Sequence, residues 1–484
     1  AWSYAALDDR VARATGALLA AGLAPGDRVA VFTPNHPAQV AVYLACMRAG
    51  LVVVPLNARY LGPEARYALE HVGASALVAH PRLVPRLDGV PLDAMGVRLR
   101  WALEGPAPAG WRAPEDLLDG GPPVHDPHAG GPHDPVLVLY TSGTTSRPKG
   151  VTHGRAGLEW TVATQVRVQG LDEREVNLTS LSISHVAGLA GQVLPTLLAG
   201  GTVLLMDGPD AGQVLAAVAA HGATRLQMLP ASVGDLVAHP AAAGTDLGPL
   251  RACIAGGDRV PLPVHERFRA LTGLTVTEVC GMTECFNYAM NPLPHGARPG
   301  SIGRPTEGNA VRLVAPDGGD AGDGPGEMAV RSPGTMTGYW AQPDVTADAL
   351  RDGWLHTGDV GRRDADGFLW FVGRRKEIII RAGSNVSPQE VEEVLDEHPA
   401  VLESAVVGVP DPRLGERVMA FARPDPAAAP PDPEDVRAFA AGRLAAYMVP
   451  ERIWLVDDLP RNATGKADRH ALRDRAIALA ADRG

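Results

Sequence analysis

Lysine is rare in this chain, and each lysine falls in a stretch whose residue types could do chemistry. Of 44 Lys+Arg residues only three are lysine, namely Lys149, Lys376 and Lys466. The guanidinium group of arginine is bulky, planar and always protonated, whereas the ammonium group of lysine is compact and sits on a slim, rotatable chain. We interpret the three lysines as places where arginine would not fit. The alternative, three leftover surface lysines, is not rejected by composition alone.

The first lysine ends the stretch VLVLYTSGTTSRPKG, residues 136–150. The apolar run Val136–Tyr140 predicts a buried strand, and a loop of hydroxyl residues and glycines follows it. Such residues let backbone N–H groups approach an anion closely, and Lys149 would add a mobile charge. The loop therefore predicts phosphate contact. It lacks the Gly-Lys-Ser/Thr order of the common P-loop, and an ordinary polar turn is the alternative.

Further stretches combine glycines with titratable or hydroxyl side chains. They are LTSLSISHVAGLAG (178–191), RACIAGGD (251–258), VTEVCGMTE (276–284), GYWAQPDVTADALRDGWLHTGDVG (338–361), GRRKEIIIRAGSNVSPQEVEEVL (373–395) and LPRNATGKADR (459–469). Each has a plain structural alternative when taken alone: a satisfied histidine, a glycine turn or a solvated lysine. Three histidines at 125, 128 and 133 have no cysteine or carboxylate at ligand spacing, so a solvated loop is favoured there over a metal site.

Taken with the phosphate loop, these stretches resemble the acyl-adenylate-forming enzymes, which include acyl-CoA synthetases, peptide-synthetase adenylation domains and luciferases. The resemblance runs from Tyr4 to Arg469. It implies that ATP activates a carboxylic acid to an acyl-adenylate, which is then transferred to coenzyme A with release of AMP and pyrophosphate. ATP/AMP, Mg2+ and coenzyme A are the implied cofactors and co-substrates. A separate carrier protein is the alternative acceptor.

The resemblance also implies a role for individual residues. The implied catalytic residues are Lys466, Thr283, Glu284 and His185, with Glu284 as the magnesium ligand. The implied nucleotide-binding residues are Thr141, Ser142, Gly143, Thr144, Thr145, Lys149, Gly256, Gly257, Cys280, Gly281, Met282, Asp359 and Arg374. The implied substrate and thiol pocket contains His185, Gly188, Gly256, Cys280 and Gly383. Lys376 is the implied hinge.

Three positions depart from the family pattern. Ser146 stands where the phosphate loop normally has glycine, and a serine there would be strained if the position needs a positive φ. Cys280 replaces an aromatic residue that stacks on adenine, an interaction of about 0.5–1.5 kcal/mol. Ser182 replaces a proline. A variant impaired in adenylation, which thioesterifies a supplied acyl-adenylate, therefore stays open, as does a non-catalytic acyl- or nucleotide-binding relative.

The elements that must position these residues alternate between helix and strand. Segments with helical spacing, Tyr4–Leu23 and Gln39–Arg48, alternate with the apolar runs Val29–Phe32 and Leu51–Leu56. This alternation is typical of a parallel sheet with helices on its faces. We expect an α/β fold. The resemblance implies a large N-terminal domain (1–373) of helix-flanked sheets plus a small barrel-like β subdomain, a hinge (374–377) and a small, mobile α+β C-terminal domain (378–484).

Charge, hydropathy and cysteine content limit the partners and the location that the protein can have. The chain has 484 residues and a formal charge of −11, which argues against nucleic acid and anionic membrane as partners. Apolar runs stay below the roughly 18 residues that a transmembrane helix needs. The four cysteines do not form a disulfide framework, so we expect a cytoplasmic protein. Small residues at Ala187, Gly188, Ala190 and Gly191 indicate room for a bulky or aromatic acid.

Overall fold

The computed structural model describes residues 1–141, 148–208, 210–293, 295–322, 324–462 and 465–481. The helices are α1 (Tyr4–Ala20), α2 (Pro37–Ala49), α3 (Gly62–Val72), α4 (Pro114–Leu118), α5 (Arg155–Gln169), α6 (Val186–Gly188), α7 (Leu194–Leu198), α8 (Ala211–His221), α9 (Pro230–Ala238), α10 (Leu262–Thr272), α11 (Pro343–Ala349), α12 (Pro388–Asp396), α13 (Pro433–Ala441) and α14 (Arg469–Ala481). Short 3-10 segments span Pro81–Leu87 and Ala242–Gly244, and a π-helical segment spans Leu189–Val193.

The strands are β1 (Arg28–Phe32), β2 (Val52–Leu56), β3 (Ala76–Ala79), β4 (Leu99–Ala102), β5 (Pro135–Thr141), β6 (Lys149–Gly154), β7 (Val176–Thr179), β8 (Thr202–Leu205), β9 (Arg225–Met228), β10 (Ala252–Gly256), β11 (Thr277–Met282), β12 (Phe286–Met290), β13 (Arg304–Pro305), β14 (Ala310–Val314), β15 (Gly326–Arg331), β16 (Gly338–Tyr339), β17 (Leu350–Arg351), β18 (Trp354–Arg363), β19 (Leu369–Arg374), β20 (Ile379–Arg381), β21 (Ser384–Val386), β22 (Val401–Asp411), β23 (Gly415–Pro424) and β24 (Arg452–Leu455). The α/β class predicted from the alternation is confirmed, with boundaries close to those expected for α1, α2, β1 and β2.

The chain divides into two compact units. The first unit contains Ala1–Gly208, Met282–Phe286 and Pro333–Leu350, and the second contains Pro209–Gly281, Asn287–Ser332 and Arg351–Gly484. This division follows contacts within the folded chain, so it does not test the hinge expected at 374–377, and that domain boundary stays a prediction.

The first unit is built on a seven-stranded sheet in the order β4-β3-β1-β2-β5-β6-β16. The strands from β4 to β5 pair in parallel, whereas β6 and β16 pair antiparallel. Successive residues of β5 enter different cores: Leu137 and Leu139 pack in one cluster, Val138 and Tyr140 in the other. Both faces are therefore buried, which explains why these strands read as continuous apolar runs.

The second unit contains three groups of strands. Strands β9, β10 and β11 pair in parallel, and β14, β15, β17, β18 and β19 form the five-stranded sheet that matches the expected β subdomain. Strands β20 to β24 form a separate sheet that packs with α12, α13 and α14. The second group carries Asp359 and Arg374, while the chain beyond β24 carries Lys466.

Candidate active site

In the first unit, Thr283 and Glu284 lie on a tight turn directly after β11. The backbone N–H of Met336 donates to the Glu284 carbonyl at 2.7 Å. The imidazole Nε2 of His153 contacts the Thr283 carbonyl at 2.8 Å, which makes Nε2 the protonated nitrogen. Phe286 ends the turn at φ +57°, an uncommon conformation for a residue other than glycine. Interactions from two other segments thus hold this turn in place.

The Glu284 carboxylate is buried and is held by a tyrosine. The Tyr339 hydroxyl donates to Glu284 Oε1 at 2.9 Å. The ammonium of Lys149 lies 4.8 Å from the centre of the same Tyr339 ring. Burial, followed by the neighbouring Glu284 charge, raises the pKa of Tyr339, so the phenol keeps the proton that it donates. Sequence reasoning named Glu284 and Lys149 but missed the tyrosine that contacts both.

The structure places Lys149 at the first position of β6, opposite Thr141 at the end of β5. The predicted phosphate loop between them lies outside the described residues, and with it Ser142, Gly143, Thr144, Thr145 and the unusual Ser146. The two described ends of the loop are thus fixed by an antiparallel pair of the seven-stranded sheet.

His185 and Gly188 lie in the first unit, beyond strand β7. That strand ends at Thr179, and His185 immediately precedes α6. The Nδ2 of Asn57 lies 3.3 Å from Nε2 of His185. A Cβ at Gly188 would meet the Ser182 carbonyl oxygen at 2.4 Å, so only glycine fits there. The π-helical segment that follows is a local distortion of the kind often seen at functional sites.

In the second unit, Asp359 and Arg374 face each other across β18 and β19. Arg374 Nε lies 3.1 Å from Oδ1 of the buried Asp359 in an ion pair. Burial raises the pKa of Asp359, and the nearby Arg374 and Lys466 charges oppose that rise. Thr357, Gly358 and Asp359 lie within β18 at an irregularity of its pairing with β15, and Gly358 adopts φ +75°.

Lys466 lies near Asp359 and Arg374, and its side chain also approaches Gly257, the second glycine of the predicted Gly-Gly pair. Gly257 adopts φ +92°, and a Cβ there would lie 2.9 Å from Lys466 Cε. Burial, followed by Arg374, lowers the pKa of Lys466, while Asp258, Asp359 and Cys280 act against that change. At Gly256 the close neighbour is instead the backbone of β11, since a Cβ would lie 2.6 Å from the Val279 carbonyl oxygen.

Cys280 occupies the position where the family has an aromatic ring. Its Sγ lies 3.1 Å from the hydroxyl of the fully buried Tyr288. Burial raises the pKa of Cys280 to about 12, which keeps the thiol protonated. The next two predicted nucleotide residues, Gly281 and Met282, follow it along β11 and are partly exposed.

The predicted hinge and thiol-path residues lie in turns of the second unit. Lys376 is exposed in the turn after β19. Gly383 forms the two-residue tip of the β20–β21 hairpin with Ala382, and the two have φ of +83° and +50°. Positive φ at both positions is the geometry of a type I′ hairpin turn, which explains the glycine on local grounds.

Each unit therefore brings a subset of the predicted residues together: Glu284 with Lys149 in the first, and Asp359 with Arg374, Gly257, Cys280 and Lys466 in the second. His153 and Tyr339 escaped sequence reasoning, because nothing in a one-dimensional pattern signals a contact with a turn more than 50 residues away.

In the described ranges no three His, Cys, Asp or Glu side chains are grouped to hold a metal ion. Nor do those ranges contain a helix that is long and apolar enough to cross a membrane.

Comparison with known proteins identifies the family. The family model described as AMP-binding enzyme matches residues 1–340, and the model of the AMP-binding enzyme C-terminal domain matches residues 390–466. An indoleacetate–CoA ligase of Aromatoleum aromaticum is 37% identical over 97% of this chain and 92% of its own. A feruloyl-CoA synthase of an Amycolatopsis species is 39% identical over 98% and 94%. The crystal structure of the anthranilate CoA ligase AuaEII in complex with anthranoyl-AMP superposes with a TM-score of 0.92 at 27% identity, covering 98% and 92% of the two chains.

The chain belongs to the AMP-binding, or acyl-adenylate-forming, enzyme family. Within that family it is an acid–thiol ligase, which activates a carboxylic acid with ATP to an acyl-adenylate and passes the acyl group to coenzyme A. The main prediction from the sequence is thereby confirmed.

Proposed function

We propose that the Asp359 cluster of the second unit binds the ribose of ATP and presents Lys466 to the reacting carboxylate. The observation that carries this proposal is the buried Asp359 carboxylate, which lies beside the charges of Arg374 and Lys466. A carboxylate accepts hydrogen bonds without donating any, which suits the two hydroxyls of a ribose. Arg374, directly across the strand pair, would add a contact from the same side.

Activation of an acid by ATP brings an anion up to a polyanion, so positioned positive charge lowers the barrier more than a protein nucleophile would. Lys466 would bridge the carboxylate and the α-phosphate, and Thr283 would contact the α-phosphate. Lys149 and the loop from Thr141 would hold the leaving phosphates. His185 would border the carboxylate of the acid.

The Mg2+ that this chemistry requires fits Glu284. Its carboxylate supplies the hard oxygen that Mg2+ prefers, and Tyr339 holds it in one orientation. When bound, the ion would neutralise phosphate oxygens. The protein contributes the placement of that carboxylate on a turn fixed by His153 and Met336.

We also propose that residues 378–484 rotate about Lys376 between the two half-reactions. The thiol of coenzyme A must reach the acyl carbonyl near the position that Lys466 holds during adenylation, so both cannot be there at once. Two observations support the proposal: Lys376 is exposed in a turn, and the strands beyond it form a sheet of their own. Hinges are short segments that absorb backbone rotation between rigid bodies.

For the substrate we propose an aromatic acid. The related enzymes are named for indoleacetate and ferulate, and the related structure holds anthranoyl-AMP. We further propose a cytoplasmic location, because the four cysteines are free thiols and ATP and coenzyme A are cytoplasmic metabolites.

The experiment is a two-arm assay across aliphatic and aromatic acids. One arm supplies ATP, Mg2+ and coenzyme A and follows pyrophosphate and thioester; the other supplies synthetic acyl-adenylates and coenzyme A. Product in both arms, with an aromatic acid as the best substrate, is the expected result. Product from adenylates alone would mean that Ser146 and Cys280 have disabled adenylation. Efficient turnover of acetate alone would overturn the aromatic assignment, and pyrophosphate without thioester would indicate a carrier-protein acceptor.

A further inference from the structure

One side chain in the first unit contacts both of the charged residues assigned to the phosphates and the metal. The hydroxyl of Tyr339 donates to Glu284 Oε1 at 2.9 Å, and the ring of Tyr339 faces the ammonium of Lys149, 4.8 Å from the ring centre. The tyrosine is buried, with 9% of its surface exposed. It therefore links a carboxylate and an ammonium that come from different parts of the chain.

Hydrogen bonds on both sides hold the backbone of Tyr339, so the position from which its side chain extends is fixed. In strand β16, Tyr339 pairs with Val151 of β6, two residues after Lys149. The Tyr339 N–H donates to Thr346 Oγ1 at 2.9 Å, and the N–H of the next residue, Trp340, donates to the Gly150 carbonyl at 2.7 Å. The same strand pair thus sets the positions of Lys149 and the tyrosine that it contacts.

The chemistry of a phenol suits this double role. Its O–H donates to one oxygen of the carboxylate and so fixes the rotation of that group. The face of the aromatic ring is electron-rich and attracts an ammonium group. A phenylalanine would keep the second contact and lose the first. A leucine would lose both.

We propose that Tyr339 is a positioning residue for adenylation: its hydroxyl orients Glu284 toward the metal and its ring restrains Lys149 near the phosphates. The inference rests on the proposed function of Glu284 and Lys149. It further implies that Tyr339 matters little for thioester formation, since that half-reaction has no metal-bound pyrophosphate to stabilise.

The test compares wild type, Tyr339→Phe and Tyr339→Leu with a matched control, Tyr140→Phe. The control removes a hydroxyl from another tyrosine of the same sheet, whose O–H donates to the Ala68 carbonyl of α3 at 3.1 Å. Three quantities are measured: Mn2+ binding in the presence of a non-hydrolysable ATP analogue, by paramagnetic resonance; pyrophosphate release at varied Mg2+; and thioester formation from a synthetic acyl-adenylate.

We expect Tyr339→Phe to weaken Mn2+ binding about tenfold, as the loss of a hydrogen bond to a charged group predicts. The Mg2+ requirement for pyrophosphate release should rise by about the same factor, with thioester formation within twofold of wild type. Tyr339→Leu should in addition raise the KM for ATP. Tyr140→Phe should change neither Mn2+ binding nor the Mg2+ requirement.

Unchanged Mn2+ binding in Tyr339→Phe would overturn the proposal. So would an equal loss in both half-reactions, or the same loss in Tyr140→Phe, because each would indicate a general packing role. If wild type releases no pyrophosphate, the proposed adenylation fails instead. The Mn2+ measurement would still decide the role of Tyr339 in that case, because it needs no turnover.

Discussion

The two units each bury a carboxylate, and they surround it differently. Glu284 in the first unit accepts a hydrogen bond from the neutral Tyr339 hydroxyl. Asp359 in the second unit lies beside two cations, Arg374 and Lys466. A neutral donor fixes the orientation of a carboxylate. Adjacent cations compensate the charge of a buried carboxylate, which can then accept hydrogen bonds from hydroxyl groups. Under the roles proposed above, the same functional group would serve metal binding in one place and hydrogen bonding in the other.

The strongest test removes the catalytic cation of the second unit. We expect Lys466→Ala to slow pyrophosphate release about 1,000-fold, because a preorganised charge aimed at the transition state is lost. AMP binding and thioester formation from a synthetic adenylate should persist. Lys466→Arg is the informative companion, since it keeps the charge but must fit beside Gly257. Full activity of the arginine variant would contradict the steric account of the three lysines.

His153 should make the first unit sensitive to acid. Burial lowers the pKa of His153 to about 4, and its neutral ring holds the Thr283 carbonyl. Between pH 6.5 and about 4 the unfolded chain binds a proton that the folded chain does not. The contribution of neutral His153 to the free energy of unfolding is therefore fully present above pH 6.5. It declines as the pH falls from 6.5 to about 4, and it is lost below that pH. The loss amounts to roughly 3 kcal/mol.

The measurement is the free energy of unfolding by denaturant against pH for wild type and His153→Gln. We expect the glutamine variant to lose most of the slope between pH 6.5 and 4. An unchanged slope would assign the acid sensitivity to other groups.

A pair of amide substitutions sharpens the comparison of the carboxylates. Asp359→Asn should raise the KM for ATP about thirtyfold, because hydrogen bonds to a charged acceptor contribute roughly 2 kcal/mol. Its Mg2+ requirement should stay unchanged. Glu284→Gln should do the reverse, weakening Mn2+ binding more than the affinity for AMP. Equal effects of both variants on metal and nucleotide binding would show that the two carboxylates serve one task.

The smallest expected effect concerns Gly257, the glycine that the Lys466 side chain approaches. Gly257→Ala places a Cβ where Lys466 Cε approaches and forces alanine to φ +92°. We expect pyrophosphate release to fall about tenfold, with thioester formation from a synthetic adenylate unaffected. Gly244→Ala is a suitable control, because a Cβ there meets no atom within 4 Å. A loss of both half-reactions would indicate a strained fold instead of a displaced lysine.

The sequence alone predicted the α/β class from the alternation of helix and strand, and its resemblance to the family was carried by local motifs. That resemblance implied the charged site residues Lys149, Glu284, Asp359 and Lys466. It also implied that Gly257 binds the nucleotide and that Gly383 lines the thiol pocket. It did not reveal the local reasons for glycine, which are a positive φ beside an approaching lysine at one and a hairpin tip at the other.

Only the tertiary structure decided what surrounds those residues. His153 and Tyr339 contact a turn from which they are separated by 130 and 55 residues, and strand pairing brings them there. Thr357, Gly358 and Asp359 look like a turn in one dimension but lie within β18, where Asp359 pairs with Arg374 of β19. Burial and charge at a site are sums over neighbours from many elements. They exist only once the sheet register and the side-chain packing have been set.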